Sequence, residues 1–258
     1  MTSSALFPDI QAAAAMVQQR YAGVFAKYAD AAAAATEAIE SALLAAEADA
    51  SRRLRVHFAP TTIIPDDASE GELEELEAMG ECYATESAYD YEPALWTPDD
   101  WGYLALRQKP VIRIERIEFA YPAPTAGIFR MPDSWIRLDR KAGHVRFVPN
   151  GPSLQAGPMS VFILSSMAGG RIIPGMIRVR YVAGLQNAAR DFPDLIDVVK
   201  KMAVLRILQS AFLPQSGSIS ADGLSRSYSV DIQKWHDGVD DAIDVLMQSI
   251  HGPRMVVL

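Results

Sequence analysis

Apolar residues recur at Ile10, Ala13, Val17, Tyr21, Val24 and Tyr28, the three-and-four spacing of one helical face. The stripe continues through Ala32, Ala35, Ile39, Leu43 and Ala46. Pro8 and Asp9 suit a first turn, because proline tolerates the start of a helix and a carboxylate there meets the positive end of its dipole. The pattern predicts one long helix, or a helical hairpin, over residues 9–52. The run Ala31–Ala35 has high helix propensity but little volume, so this segment needs neighbouring helices to complete a core.

The period changes near residue 54. Arg55–Ile64 is extended in character and ends at Pro65, and Glu72–Met79 allows one short helix. Tyr83, Tyr89, Tyr91, Trp96 and Trp101 are spaced irregularly between prolines and predict a long ordered loop. A β-rich stretch follows from about 104 to 182. Val111–Tyr121 alternates with a phase slip near Arg116, the mark of a bulge. Trp135–Asp139 and His144–Val148 predict a hairpin with Gly143 in the left-handed position, and Met159–Ser165 and Met176–Ala183 predict further strands.

Helical spacing returns after Pro193, in a segment apolar on most sides and therefore buried. It stops by Pro214, and Gln215–Ser229 reads as a Ser/Gly-rich loop. A last amphipathic helix carries Ile232, Trp235, Val239, Ile243, Leu246 and Ile250, and Gly252–Pro253 ends it. The predicted fold is α+β. A helical body, formed by an N-terminal long helix (1–53) and two C-terminal helices (191–258), carries an inserted antiparallel β-rich region with an acidic loop (54–190).

Charge changes this picture at one place. The net charge is −8, yet residues 66–100 hold thirteen Asp and Glu and no Lys or Arg, so the rest of the chain is net +5. Uncompensated carboxylates are too costly to bury together, which predicts a segment facing solvent or lining a passage. Overall acidity opposes a grip on nucleic acid through its phosphates. The single cysteine, Cys82, leaves no internal disulfide and no Cys-based zinc site in one subunit. Without a signal-peptide pattern, a cytoplasmic site of synthesis is expected. The longest apolar runs, such as Met159–Leu164, are too short for a membrane span.

Candidate chemistry is sparse. His57, His144, His236 and His251 are scattered without metal-ligand spacing. Asp99–Asp100 and Asp240–Asp241 are adjacent pairs, which do not converge on a helix and read as surface carboxylates. Ser225, Ser227 and Ser229 near Asp222 lack an evident base and read as turn hydroxyls. Arg137, Arg140, Lys141 and Arg146 cluster on the hairpin but lack an aromatic platform for nucleic acid. Neither a catalytic residue, a cofactor nor a metal is therefore assigned.

Several stretches resemble one family. They are Tyr121–Pro122, Phe129–Asp139, Gly143–Pro149, Ile177–Gly184, and the apolar helix followed by Gly217–Ser229 with its Asp-Gly-x-Ser-x-Ser pattern. Together they resemble the adaptor, or head–tail connector, proteins in the neck of tailed bacteriophages. The resemblance implies a structural subunit of the virion neck, assembled in the host cytoplasm. It also implies a dodecameric ring joining the portal protein to a further neck or tail protein, with DNA only passing through. The tail Arg254, Met255, Val256, Val257 and Leu258 is β-favouring after a helix stop and is expected to bind a partner subunit. Alternatives are another virion component, such as a tail-completion or baseplate subunit, or an enzyme using the acidic and aromatic residues of 83–101.

Overall fold

The two hydrophobic periods correspond to two kinds of architecture along the chain. The computed structural model describes residues 4–29, 34–96, 102–122, 125–148, 172–211 and 232–252. Two compact units emerge, one from residues 1–54 and 187–249, the other from 55–186 together with 250–258. The chain is α+β, with helices in the first unit and a largely antiparallel sheet in the second.

The helical unit opens with α1 (Ile10–Arg20), α2 (Ala22–Tyr28) and α3 (Thr36–Leu54). Asp9 caps α1, its carboxylate accepting from the Ala12 N–H at 2.9 Å. The segment expected as one long helix or a helical hairpin is divided, and the hairpin is the nearer description because α1 packs back on α3. Tyr21, at φ −108° and ψ 17°, leaves helical geometry between α1 and α2, and its ring sits 6.0 Å from that of Trp235. Ala34 and Ala35 lie outside any helix despite their propensity, and residues 31–33 are outside the described residues. Alanine supplies helix propensity but hardly any surface to bury, and buried faces decide where protein helices persist. The break lets α1 pack on α3.

Small residues make that packing close: Ala13, Ala14, Ala46 and Ala50 are all buried. The remaining helices are α5 (Ala188–Asp191), α6 (Pro193–Ala211) and α7 (Ile232–His251), with the β unit's helix α4 (Glu70–Met79) between. α6 is buried along most of its length, from Leu195 to Leu208, and packs on α3. α7 buries Val239, Ile243, Leu246 and Ile250 at helical spacing.

The β unit is organised by its last strand. Its strands are β1 (Thr61–Pro65), β2 (Tyr83–Glu86), β3 (Tyr89–Tyr91), β4 (Tyr103–Ala105), β5 (Val111–Pro122), β6 (Thr125–Arg130), β7 (Ile136–Asp139), β8 (His144–Phe147) and β9 (Ile173–Ala183). The larger sheet runs β2-β1-β9-β5-β6, with β3 also paired to β9. β1 and β3 share one edge of β9, pairing with Tyr181–Ala183 and with Ile173 and Ile177, while β5 takes the other edge. Register shifts at Val111/Arg113 and Ile114/Arg116 place irregularity where the alternation slips. A smaller sheet runs β4-β8-β7, and its β7–β8 turn has Gly143 at φ +68°.

The aromatic stretch expected as a loop is partly sheet. Tyr89 and Tyr91 are buried in β3, and Trp96 stacks on Phe147 at 4.8 Å between centroids. Strands of three or four residues are too short for alternation to be visible in sequence. β1 and β2 are parallel, with α4 between them in the chain, an arrangement the antiparallel expectation did not contain. The core gathers Ile117, Phe119, Ile177, Val179 and Tyr181 from the large sheet with Leu104, Val145 and Phe147 from the small one. Gly184, at φ +113°, lets the chain pass close to residues 57–59, since a Cβ there would lie 2.5 Å from the Ala59 carbonyl oxygen.

Candidate functional site

The acidic segment is folded onto the basic strands. Side chains alternate on β5 and β9, so Ile117, Phe119, Val179 and Tyr181 enter the core while Arg116, Arg178 and Arg180 lie on the opposite face. α4 meets that face. Glu72 pairs with Arg116 and lies 3.9 Å from Arg180, which also bonds Glu115 at 2.9 Å. Arg178 grips the start of the segment, its Nε donating to the Asp67 carboxylate at 3.1 Å and its Nη2 to the Asp67 carbonyl at 2.9 Å. The run, expected to face solvent or line a passage because it holds no Lys or Arg of its own, finds positive partners on β5 and β9 at Asp67 and Glu72, of which Asp67 is exposed and Glu72 half-buried. Their partners come from strands 44 and 111 residues away in sequence, which the local charge run conceals.

The other flank of α4 is different. Ser69 caps the helix, and Gly80 ends it in the left-handed region at φ +67°. Glu70, Glu74 and Glu77 recur at four and three residues, and Glu81 follows the helix. All four are exposed and form no ion pair among the described residues. Glu77 accepts from the Tyr83 hydroxyl at 3.0 Å, and Glu81 accepts from the Thr62 hydroxyl at 2.9 Å, which fixes this flank beside β1 and β2. The Glu77 carboxylate holds the Tyr83 hydroxyl above its ordinary pKa.

A second cluster lies inside the β unit. The half-buried Glu86 carboxylate accepts from Tyr89 at 2.6 Å and from Tyr181 at 3.1 Å. Each phenol oxygen in turn accepts a backbone N–H, Arg107 to Tyr89 at 2.9 Å and Gln108 to Tyr181 at 3.1 Å. The Arg107 guanidinium lies 4.1 Å from the Tyr89 ring centroid and donates to the Ser87 carbonyl. Burial raises the Glu86 pKa, opposed by the two phenols and by Arg107. Burial also raises both tyrosines, with the nearby carboxylate adding to it. Every polar atom of this trio has a partner, so the cluster binds the 107–108 segment to β2, β3 and β9. Glu86 and Tyr89 lie among the acidic and aromatic residues of 83–101 weighed from sequence, but nothing there links them to Tyr181, 95 residues from Glu86.

Among the described positions singled out from sequence, His236 and Asp240 are brought together at 3.1 Å. Arg254, Met255, Val256, Val257 and Leu258 lie outside the described residues, as do Met159–Ser165, Asp99–Asp100 and the serine-rich 215–229 loop. Cys82 is exposed. His57 is half-buried, which lowers its pKa, and its Nε2 has no hydrogen-bond partner among the described residues. Asp240 pairs with Arg53 and with His236, and the Arg53 hydrogen bond is the largest cause of its lowered pKa. Arg137 turns back on its own hairpin, donating to the Ser134 and Ile136 carbonyls at 2.9 and 3.2 Å. Among the described residues no group of three or more His, Cys, Asp or Glu is placed to hold a metal ion. No described helix is long and apolar enough to cross a membrane.

No family model matches the chain, and no curated protein matches it.

Proposed function

We propose that this protein is a structural, non-enzymatic subunit of a phage virion neck, closing into a dodecameric ring between the portal protein and a tail or further neck protein. The observation that carries the reading is the folding of the segments that bear the resemblance. Within them, Ile136–Asp139 and His144–Phe147 are the paired strands β7 and β8 of the small sheet, Ile177–Ala183 is the end of the central strand β9, and the apolar helix is α6. Supporting it, the helical unit is interrupted in sequence by the β unit, so neither terminus alone completes a unit. Closed rings arise when one face of a subunit meets a different face of the next, and they need no chemistry beyond complementary surfaces. An acidic surface would let DNA pass without holding it. The Arg254–Leu258 segment is the proposed contact with the portal or an adjacent copy, added as a strand.

Native mass measurement of the full chain, alone and mixed with a portal protein, tests the reading. The expected result is a ring of this subunit on the portal in the mixture. A chain that stays monomeric with no portal association refutes it. Deletion of residues 254–258 is expected to leave the melting temperature unchanged and to abolish attachment, and unchanged attachment rules out the tail's role.

A further inference from the structure

The β unit has two terminal strands of four residues each whose outer edges are treated differently. β7 ends the small sheet, and its outward Ile136 is already occupied. The Ile136 N–H donates to the Asp133 carbonyl, and its carbonyl accepts from Arg137. Among the described residues, β2 ends the large sheet and pairs with β1 alone. The Cys82 and Glu86 carbonyls face β1, accepting from the Thr62 and Asp66 N–H groups at 2.9 Å. A parallel ladder uses alternate residues, so Tyr83 and Thr85 turn their N–H and C=O groups outward. Of the devices that commonly blunt such an edge, Tyr83–Glu86 has its shortness and the inward Glu86, but no proline, lysine or register shift.

The carboxylates of α4 divide in the same way. The flank toward β5 and β9 is neutralised by Arg116 and Arg180, whereas Glu70, Glu74 and Glu77 form a like-charge stripe that opposes the helix it sits on. Glu77 and Glu81 reach Tyr83 and its register partner Thr62, so the stripe ends at the open edge. We propose that the outer edge of β2 receives an added strand from a partner protein whose extended segment carries Lys or Arg at alternate positions. Backbone groups of that segment would pair with Tyr83 and Thr85, and its basic side chains, falling every second residue on the α4 side, would meet Glu77, Glu74 and Glu81. The proposal stands whether or not the assembly is a phage neck.

The test uses the full chain and three labelled synthetic peptides, followed by fluorescence anisotropy at low and high salt. One alternates Lys with Val, one alternates Glu with Val, and one carries the same lysines separated by proline, which cannot donate to a ladder. The Lys–Val peptide is expected to bind, with affinity falling as salt rises, and the other two to bind at least tenfold more weakly. Thr85→Pro removes an outward N–H while sparing the ladder to β1, and is expected to weaken binding by about tenfold, the effect of one intermolecular hydrogen bond. Glu74→Gln with Glu77→Gln should weaken it similarly, and Glu75→Gln, exposed on another side of α4, should not. Amide exchange at Tyr83 and Thr85 in the unsubstituted protein should slow on binding, a readout that survives if Thr85→Pro does not fold. No binding of the Lys–Val peptide, equal binding of the proline-spaced peptide, or unchanged exchange at Tyr83 and Thr85 overturns the proposal.

Discussion

The helical unit and the β unit hold themselves together by different means. The helical unit has an interior mostly of alanines and aliphatic side chains, joined by Phe7, Tyr21 and Phe25, with Glu47 its one buried charged residue among the described residues. That carboxylate sits at the surface of the packing and accepts from the Ala5 and Leu6 N–H groups at 2.8 and 3.4 Å, pinning the N-terminal segment to α3. The β unit carries an aromatic core with a polar trio set into it and an arginine row on its other face. Apolar packing is tolerant in direction, whereas hydrogen-bonded phenols and bidentate arginines accept few geometries. Short strands with weak alternation therefore receive their register from polar contacts, and long helices with clear stripes do not need them.

Six substitutions sharpen the contrast. The largest effect is expected in the helical unit, where Leu43, fully buried, contributes only volume. Leu43→Ala should cost about 2–5 kcal/mol, depending on how far the site collapses, read from denaturant unfolding. In the β unit, Glu86→Ala leaves two phenol hydroxyls without an acceptor and should cost about 1–3 kcal/mol. A loss confined to the helical unit, with no effect of Glu86→Ala, would break the comparison.

The same residue gives a pH dependence. Glu86 has a raised pKa in the folded state, because burial penalises its charged form there more than in the unfolded chain. Its contribution to stability is most favourable below the unfolded value of about 4.3 and declines as pH rises through the folded pKa. Comparing melting temperature against pH for the wild type and Glu86→Gln should reveal this slope only in the former. A smaller loss, about 1–2 kcal/mol, is expected for Glu47→Ala, with faster amide exchange at Ala5 and Leu6 as its signature. Smaller again, Glu72→Gln should cost about 0.5–1 kcal/mol and less at high salt. Glu74→Gln should be neutral or slightly stabilising, because it relieves the like-charge stripe.

Much of the fold was legible from the chain. The apolar stripes locate α3, α6 and α7, the phase slip near Arg116 locates the register shift in β5, and Gly143 locates the tight turn. The break at Tyr21 was not legible, because the stripe runs through it without interruption and only the contact with Trp235 gives it a purpose. The parallel β1–β2 pair and the strand β3 were missed because five, four and three residues display no usable period. The partners of Asp67 and Glu72 were hidden by sequence distance, since a charge run reports only its own neighbourhood. The candidate edge at β2 was likewise invisible, as it depends on which strands pair and which side remains open.

The position of β9 bears on synthesis. β1, β3 and β5 all pair with a strand spanning Ile173–Ala183, and the helical unit needs residues 187–249 to join 1–54. During translation the amino-terminal two-thirds of the chain therefore waits on the ribosome without its central template. Contacts this distant in sequence are slow to form, and the open strands are exposed to association meanwhile. Nascent chains stalled before residue 173 should be cleaved readily by protease, and those extended past residue 183 by a tunnel's length should resist within the β unit. The acidic run from 66 to 100 emerges early in that interval. Its mutual repulsion would keep neighbouring nascent chains apart until β9 arrives to claim the strands.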